Sequence, residues 1–456
     1  MAGARGAEIT ILGSGPAAVA TACGLRRLGH EISLIGVPGN TAFEGVSERT
    51  LALLHQWGLA AAADSLGGAG ERLGSWAGRD LAGNREYVVD RAHFDAALVT
   101  DAASSGVTIV SDRVIGYARG AGHWRVRTRH ASIDCRVVID ARGRRVRRAV
   151  DKGPDLIAVC QRFRTRHAAK VLTRIEALPQ GWCWLATNGR GMSWLQAVCS
   201  RNERSLRFGL ERHLGSILAA APQTAAALAG ATSEGVALAR AATASLSVRQ
   251  DVGGVFCTGD ALVAFDPLSG QGIYEALRSA AVTVAAAHSY CSAGEWGPVA
   301  RFVRERACDL WGRRSESAAL FYEQQAGQMP SAFWVRSAAA YADCQLADRF
   351  AVAGEPRIQR RPVLDGSLIE LRRVVVTAQS PRGVWQVDGI DLAELVDFLR
   401  AAHTTDVERI ALRFSCSPKA VAHAMQWLRA HGLLGAGCKY GAGSDGGVKS
   451  SGSSRE

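Results

Sequence analysis

Residues 8–36 read EITILGSGPAAVATACGLRRLGHEISLIG, and this stretch decides the fold. Ile9, Ile11 and Leu12 make the short apolar run a buried strand needs, and Ala17 to Leu28 follow with helical spacing until Gly29 closes the helix. Glu31 to Ile35 is a second apolar run, so the unit is strand, helix, parallel strand. Between the first strand and the helix stand Gly13, Ser14, Gly15, Pro16, Ala17 and Ala18. Gly13 permits a tight turn, Gly15 has no Cβ to keep a pyrophosphate from the backbone, and Ala18 lets the helix lie close to the sheet. The helix N-terminus then aims free N–H groups at the phosphates. The second strand ends in Gly36, where such units usually carry an acid for the adenosine ribose, so the ribose must be held by another group.

The rest of the 456-residue chain suits a multi-domain globular protein, with 48% hydrophobic and 21% charged residues. That composition excludes a wholly disordered chain. The formal charge is +12, yet only five of the 54 basic side chains are lysines, so part of the bias is the arginine and alanine richness of a GC-rich genome. A basic chain still favours anionic partners. The 11 cysteines include no C-x-x-C pair, which removes the common zinc and dithiol readings, and no metal is expected. Most lie in apolar segments and read as reduced core thiols. With no signal peptide and no run of 18 apolar residues, the expectation is a cytoplasmic protein without a membrane role.

Along the chain, residues 1–154 continue the α/β pattern, and 155–250 change texture. LIAVCQRFRT, VLTRIEAL, GWCWLAT and MSWLQAVCS are strand-like runs separated by turns, followed by an alanine-rich helix from about Leu214 to Ala229. This predicts an antiparallel β-sheet domain inserted into a single Rossmann-type domain. Residues 251–350 return to the first domain with a strand, a loop and long helices. Residues 351–434 form a small helical, winged-helix-like module. There Asp391 caps one helix, while Ser417 and Pro418 open another. The Gly/Ser-rich tail, 435–456, is expected to be disordered.

Four further segments carry a family resemblance: EGVSERTLALLHQWGL (44–59), RAHFDAAL (91–98), VVIDARG (137–143) and VFCTGDALVAFDPLSGQGIYEAL (255–277). In this order, with the N-terminal turn, the chain resembles the FAD-dependent monooxygenases of the para-hydroxybenzoate hydroxylase fold and their halogenase relatives. The resemblance implies FAD as cofactor, with Arg49 and Arg91 near it. The last segment is the most specific. Asp260 offers a carboxylate to ribityl hydroxyls, and Pro267, Gly270, Gln271 and Gly272 shape a loop that opens a helix at about Ile273. That helix N-terminus would face the flavin edge where negative charge gathers on reduction. Only one phosphate-binding turn is present, so NAD(P)H, or a free reduced flavin, is expected to act as a transient electron source.

GWCWLA at 181–186 resembles the W-x-W-x-I-P signature of flavin-dependent halogenases but continues Leu185-Ala186. Those enzymes also use an early lysine, and this chain has none before Lys152. Trp182 and Trp184 share one strand face and either line the substrate cavity or fill the sheet core; Trp194 and Gln196 on the next strand are similar candidates. No catalytic side chain is assigned.

The whole set is similar to the flavoprotein monooxygenases that help build quinohemoprotein amine dehydrogenase. That likeness implies hydroxylation of a tryptophan side chain in a small crosslinked precursor subunit, on the way to cysteine tryptophylquinone. An acidic protein or peptide substrate would suit the basic surface and the extra C-terminal module. Hydroxylation or halogenation of a small aromatic molecule is the alternative within enzymes, alongside isoprenoid reduction without oxygen. From another class, a flavin-containing DNA-binding regulator would read duplex with Lys419, His423, Gln426 and Arg429 on its last helix. That set is thin, and nucleic acid is not expected as a partner.

Overall fold

The computed structural model describes residues 8–80, 85–145, 149–165, 170–247, 252–344 and 355–434. The tail from 435 onward lies outside the described residues. The chain divides into two units, one of residues 1–349 with 364–369 and one of 350–363 with 370–456.

The first unit is built on a five-stranded parallel sheet in the order Val255–Cys257, Val137–Asp140, Ile9–Leu12, Ile32–Ile35, Thr108–Val110. Ile9–Leu12 and its neighbours Ile32–Ile35 and Val137–Asp140 are buried along their whole lengths, which is why they read as continuous rather than alternating apolar runs. The helix Pro16–Arg27 packs beside the long helix Gly272–Ala293, and Gly24 makes this possible: a Cβ there would meet Val284 at 2.7 Å. A three-stranded antiparallel meander, Val114–Arg119, Trp124–Thr128 and Ser132–Cys135, shares a core with Leu12, Ile35, Val138 and Val255.

The second sheet is larger than the inserted segment alone. Its main path runs Thr232–Ala241, Leu156–Arg164, Met192–Ser200, Gly181–Thr187, Leu172–Leu178, Ala69–Trp76, Arg85–Asp90, Phe43–Val46. The pairing is antiparallel except between Leu172–Leu178 and Ala69–Trp76. Strands from residues 43–90 thus extend the four that the sequence predicts. One face is covered by two helices, Leu210–Ala220 and Pro222–Ala227, over Val159, Cys183, Leu185 and Leu195. The sequence predicts one helix here; Pro222, which has no N–H to donate, divides it. Trp296–Gln328 and Ala332–Ala342 complete the unit.

The hairpin of Arg357–Asp365 with Leu368–Val376 has residues 357–363 and 370–376 in the second unit and its turn, 364–369, in the first; the second unit also holds three helices: Leu392–Ala402, Val407–Phe414 and Pro418–Ala430. Leu392, Leu395, Val396, Ile410, Val421 and Leu428 interlock in its core. The carboxylate of Asp391 accepts from the N–H groups of Ala393 and Glu394, and the Ser417 hydroxyl accepts from that of Ala420, as their sequence positions require. Among the described residues no helix is long and apolar enough to cross a membrane.

Candidate active site

The glycine turn is shaped by contacts that exclude side chains. Gly13 has φ +116°, and a Cβ on it would lie 2.6 Å from the carbonyl oxygen of Ala141. Gly36 explains the missing acid, because a Cβ there would lie 2.9 Å from both the Gly13 carbonyl carbon and the Ser14 nitrogen. The end of the second strand is therefore pressed against the turn itself. Gly15 starts the helix Pro16–Arg27 with no side-chain cap, although Pro16, Ala17 and Ala18 are buried. A buried helix start without a cap is suited to an anion.

Arg91 reaches this turn, its Nη2 3.9 Å from where a Gly15 Cβ would stand. It opens the helix Arg91–Ser104 and is clamped between Glu44 and Asp95, the latter at 2.9 Å. Burial pulls against the guanidinium charge, but Glu44 and Asp95 hold the Arg91 pKa above its ordinary value. Burial also raises the Asp95 carboxyl, against the pull of Arg91. Arg49, by contrast, is exposed on the helix Glu48–Gln56, and no described contact joins it to either glycine loop.

The second loop meets the first at a close approach. Gly259 has φ +60°, and a Cβ on it would come 2.7 Å from the Ala17 Cβ. The two most specific sequence motifs, 13–18 and 259–273, therefore share one place. Asp260 is held by Arg144, Nε to Oδ2 3.1 Å, while Arg144 also donates to the carbonyls of Thr243 and Phe265. After Pro267 the chain turns through Gly270 at φ +59° into the helix Gly272–Ala293, one residue earlier than the sequence predicts. No side chain caps this helix; the Gln271 side chain instead accepts from Arg314 at 2.6 Å. The Glu44 carboxylate lies 4.0 Å from where a Gly272 Cβ would be, so Glu44 and Arg91 bridge the space between the two helix starts.

Beneath this loop lies a cluster with no local sequence signal. Asp266, buried, accepts from the Leu268 N–H at 2.9 Å and from the hydroxyls of Tyr322 at 2.9 Å and Tyr341 at 2.6 Å. Burial raises the Asp266 carboxyl above its ordinary value even though all three donors favour the charged form. Burial and the neighbouring Asp266 push both tyrosines well above theirs.

On the large sheet, Trp182, Trp184, Trp194 and Gln196 share the face opposite the two covering helices. Trp184 stands directly across from Gln196, and both are half-buried. Trp182 and Trp194 are each 1% exposed, so they fill the sheet's interior while Trp184 and Gln196 remain reachable. Trp182 lies against the Tyr322 hydroxyl. The guanidinium of Arg240 sits 5.4 Å above the Trp194 ring and donates to Asn40 at 2.7 Å, and Arg162 pairs with Asp90 at 3.1 Å. These bonds join this face to the loops that carry the glycine turn's neighbours.

A solved peptidyl tryptophan dihydroxylase, QhpG, described as essential for tryptophylquinone cofactor biogenesis, matches with TM-score 0.81 and 30% identity over 94% of this chain and 100% of its own. The chain belongs to the peptidyl tryptophan dihydroxylase family. Two solved structures of lower identity share the family's fold. The flavin-dependent halogenase CmlS has TM-score 0.68 and 17% identity over 92% of this chain and 95% of its own. An aklavinone-11 hydroxylase, solved with FAD and aklavinone, has TM-score 0.56 and 16% identity over 72% of this chain and 70% of its own. No protein-family model matches the sequence, and no curated protein matches it. As a member of that family the chain is an oxidoreductase, on a fold shared with a flavin-dependent halogenase and with a hydroxylase solved with FAD.

Proposed function

We propose that this chain is an FAD-dependent monooxygenase that hydroxylates a tryptophan side chain within a peptide or protein precursor of a quinone cofactor. The observation that carries the proposal is the end-to-end correspondence with a peptidyl tryptophan dihydroxylase, which extends through the C-terminal unit.

The residues fit FAD on grounds of their own. Two uncapped helix starts, Gly15–Pro16 and Gln271–Gly272, have no side chains in the way at Gly13, Gly15 and Gly272. Residues 13–18 with Arg91 would hold the pyrophosphate, Asp260 the ribityl hydroxyls, and Pro267, Gly270, Gln271, Gly272 and Ile273 the flavin edge; Arg49 is proposed for the outer phosphate or ribose. Bound and reduced, FAD supplies activation of dioxygen and delivery of an oxygen atom to an aromatic ring. The chain supplies orientation and oriented N–H groups. Amides at the start of Gly272–Ala293 favour negative charge at the flavin edge by roughly 0.3–2 kcal/mol on the helix-dipole scale. Trp184 and Gln196 present a flat aromatic surface and an amide to an incoming indole.

NAD(P)H is proposed as the transient reductant, since the sequence holds one phosphate-binding turn. The partner is proposed to be an acidic, crosslinked amine dehydrogenase subunit, drawn to a chain of net charge +12. The described cysteines are all free, which suits the reducing cytoplasm proposed for it.

The test is mass spectrometry of that precursor after incubation with the enzyme, reductant and oxygen. A mass gain of one or two oxygen atoms, mapped to a tryptophan, is expected. An unmodified precursor beside an oxidised or halogenated free aromatic would overturn the reading.

A further inference from the structure

At the end of the parallel sheet away from the glycine turn, three distant segments bring a carboxylate, an imidazole and a thiol together. Glu8 directly precedes the strand Ile9–Leu12, His30 lies between Pro16–Arg27 and Ile32–Ile35, and Cys291 is on the last turns of Gly272–Ala293. One donor atom from each lies within 4.8 Å of the others. Nδ1 of His30 is 2.8 Å from Oε2 of Glu8, while its Nε2 is 2.9 Å from Nδ1 of His288.

We infer that Glu8, His30 and Cys291 form a zinc site, with His288 orienting His30 from behind. The donors are one oxygen, one nitrogen and one sulfur, a set that zinc accepts and that the thiol makes unsuitable for magnesium or calcium. Zinc–ligand distances of roughly 2.0–2.3 Å place tetrahedral donors about 3.3–3.8 Å apart. His30 Nδ1 and Glu8 Oε2 stand 2.8 Å apart and the Cys291 sulfur lies within 4.8 Å of both, so small side-chain rotations would bring the three to that spacing. Metal-bound imidazoles usually give their other N–H to an outer partner, and His288 stands in that position. Zinc would take the Cys291 sulfur as thiolate, its proton passing to solvent, and His30 through Nδ1, which leaves His30 Nε2–H to donate to His288 Nδ1. Arg136 approaches the other Glu8 oxygen at 3.8 Å and donates to the Cys291 carbonyl at 2.8 Å, which leaves Oε2 for the ion. Water takes the fourth position.

The sequence gives no hint of this, because its donors stand at 8, 30 and 291 instead of in a spaced motif. The site lies outside the oxygen chemistry. Its ion would tie the first strand and the turn before the second to the far end of the helix whose beginning faces the flavin.

The experiment uses the full, untagged chain with its FAD, stripped by chelator and dialysed against micromolar zinc. One zinc per chain more than in Cys291→Ser is expected, together with a zinc-dependent rise in melting temperature that Cys291→Ser lacks. Cobalt substitution should give a thiolate-to-cobalt charge-transfer band in the parent and in Cys416→Ser, a control thiol in the other unit, but not in Cys291→Ser. His288→Ala should weaken zinc binding by roughly 10–100-fold, the usual effect of losing an outer-shell partner. If Cys291→Ser fails to fold, His30→Gln and the parent's cobalt spectrum decide. No stoichiometric zinc in the parent, no charge-transfer band, or equal zinc in Cys291→Ser would overturn the inference.

Discussion

Replacing Asp266 with alanine should destabilise the first unit, and the loss should depend on the two tyrosines. Alanine strands the hydroxyls of Tyr322 and Tyr341, both at most 2% exposed, away from water. Each unmet buried hydroxyl costs about 1–3 kcal/mol, and losing the cap on the Leu268 N–H costs about 1 kcal/mol more. Relief from burying a carboxylate offsets part of this, leaving a net loss of about 3 kcal/mol. In a Tyr322→Phe/Tyr341→Phe background no hydroxyl is stranded, and the same substitution should cost about 1 kcal/mol or less. The coupling is therefore about 2 kcal/mol, well above what independent sites show. The assay is urea unfolding at fixed FAD, followed by far-UV circular dichroism. Equal costs in the two backgrounds would refute the account of a carboxylate held by its donors. The same group has a pH signature. Because its folded pKa is raised, its contribution is fully present below the unfolded value near 3.8 and is lost as pH rises through the folded one. Asp266→Asn should remove that slope from the stability profile.

Gly36→Asp restores the acid such strands usually carry, yet it should lower FAD affinity at least about tenfold, since its Cβ meets the glycine turn; tighter FAD in equilibrium titration would contradict this. Arg91→Met leaves Glu44 and Asp95 facing each other without their shared cation and should cost about 3–5 kcal/mol in chemical denaturation. Gly15→Ala has room in the protein itself, so melting of the FAD-free chain should be unchanged while FAD retention on gel filtration falls. Gly13→Ala, at positive φ and against Ala141, should lower both, by about 1–3 kcal/mol in stability.

The parallel unit was legible because Ile9–Leu12 and Ile32–Ile35 are buried throughout and the turn between them is built from small residues. The loop 259–273 was legible for the same reason: its glycines answer to close approach and positive φ, which local sequence records. The caps at Asp391 and Ser417 are local too. What escaped depends on distance along the chain. Phe43–Val46 and Arg85–Asp90 are too short and mixed to stand out as strands, and only their pairing with each other and with Ala69–Trp76 makes them so. Tyr322 and Tyr341 meet Asp266 from separate helices, and nothing in either helix marks that encounter. Gly36 appeared as a missing ribose ligand until its contact with Gly13 supplied a steric reason. Arg49 and Arg91 read alike in sequence, and the contacts of the turn show Arg91 beside Gly15.

The parallel sheet is completed from its far end of the sequence: Val255–Cys257 pairs with Val137–Asp140, and five strands of the second sheet, from Leu156–Arg164 to Thr232–Ala241, are encoded between them. During synthesis at roughly 5–20 residues per second, the nascent chain therefore carries an open edge on Val137–Asp140 for on the order of ten seconds. An apolar edge in that condition recruits other strands, including those of neighbouring ribosomes' products. Slower growth at low temperature with abundant chaperone should accordingly raise the yield of recombinant enzyme more than any change made at its catalytic centre.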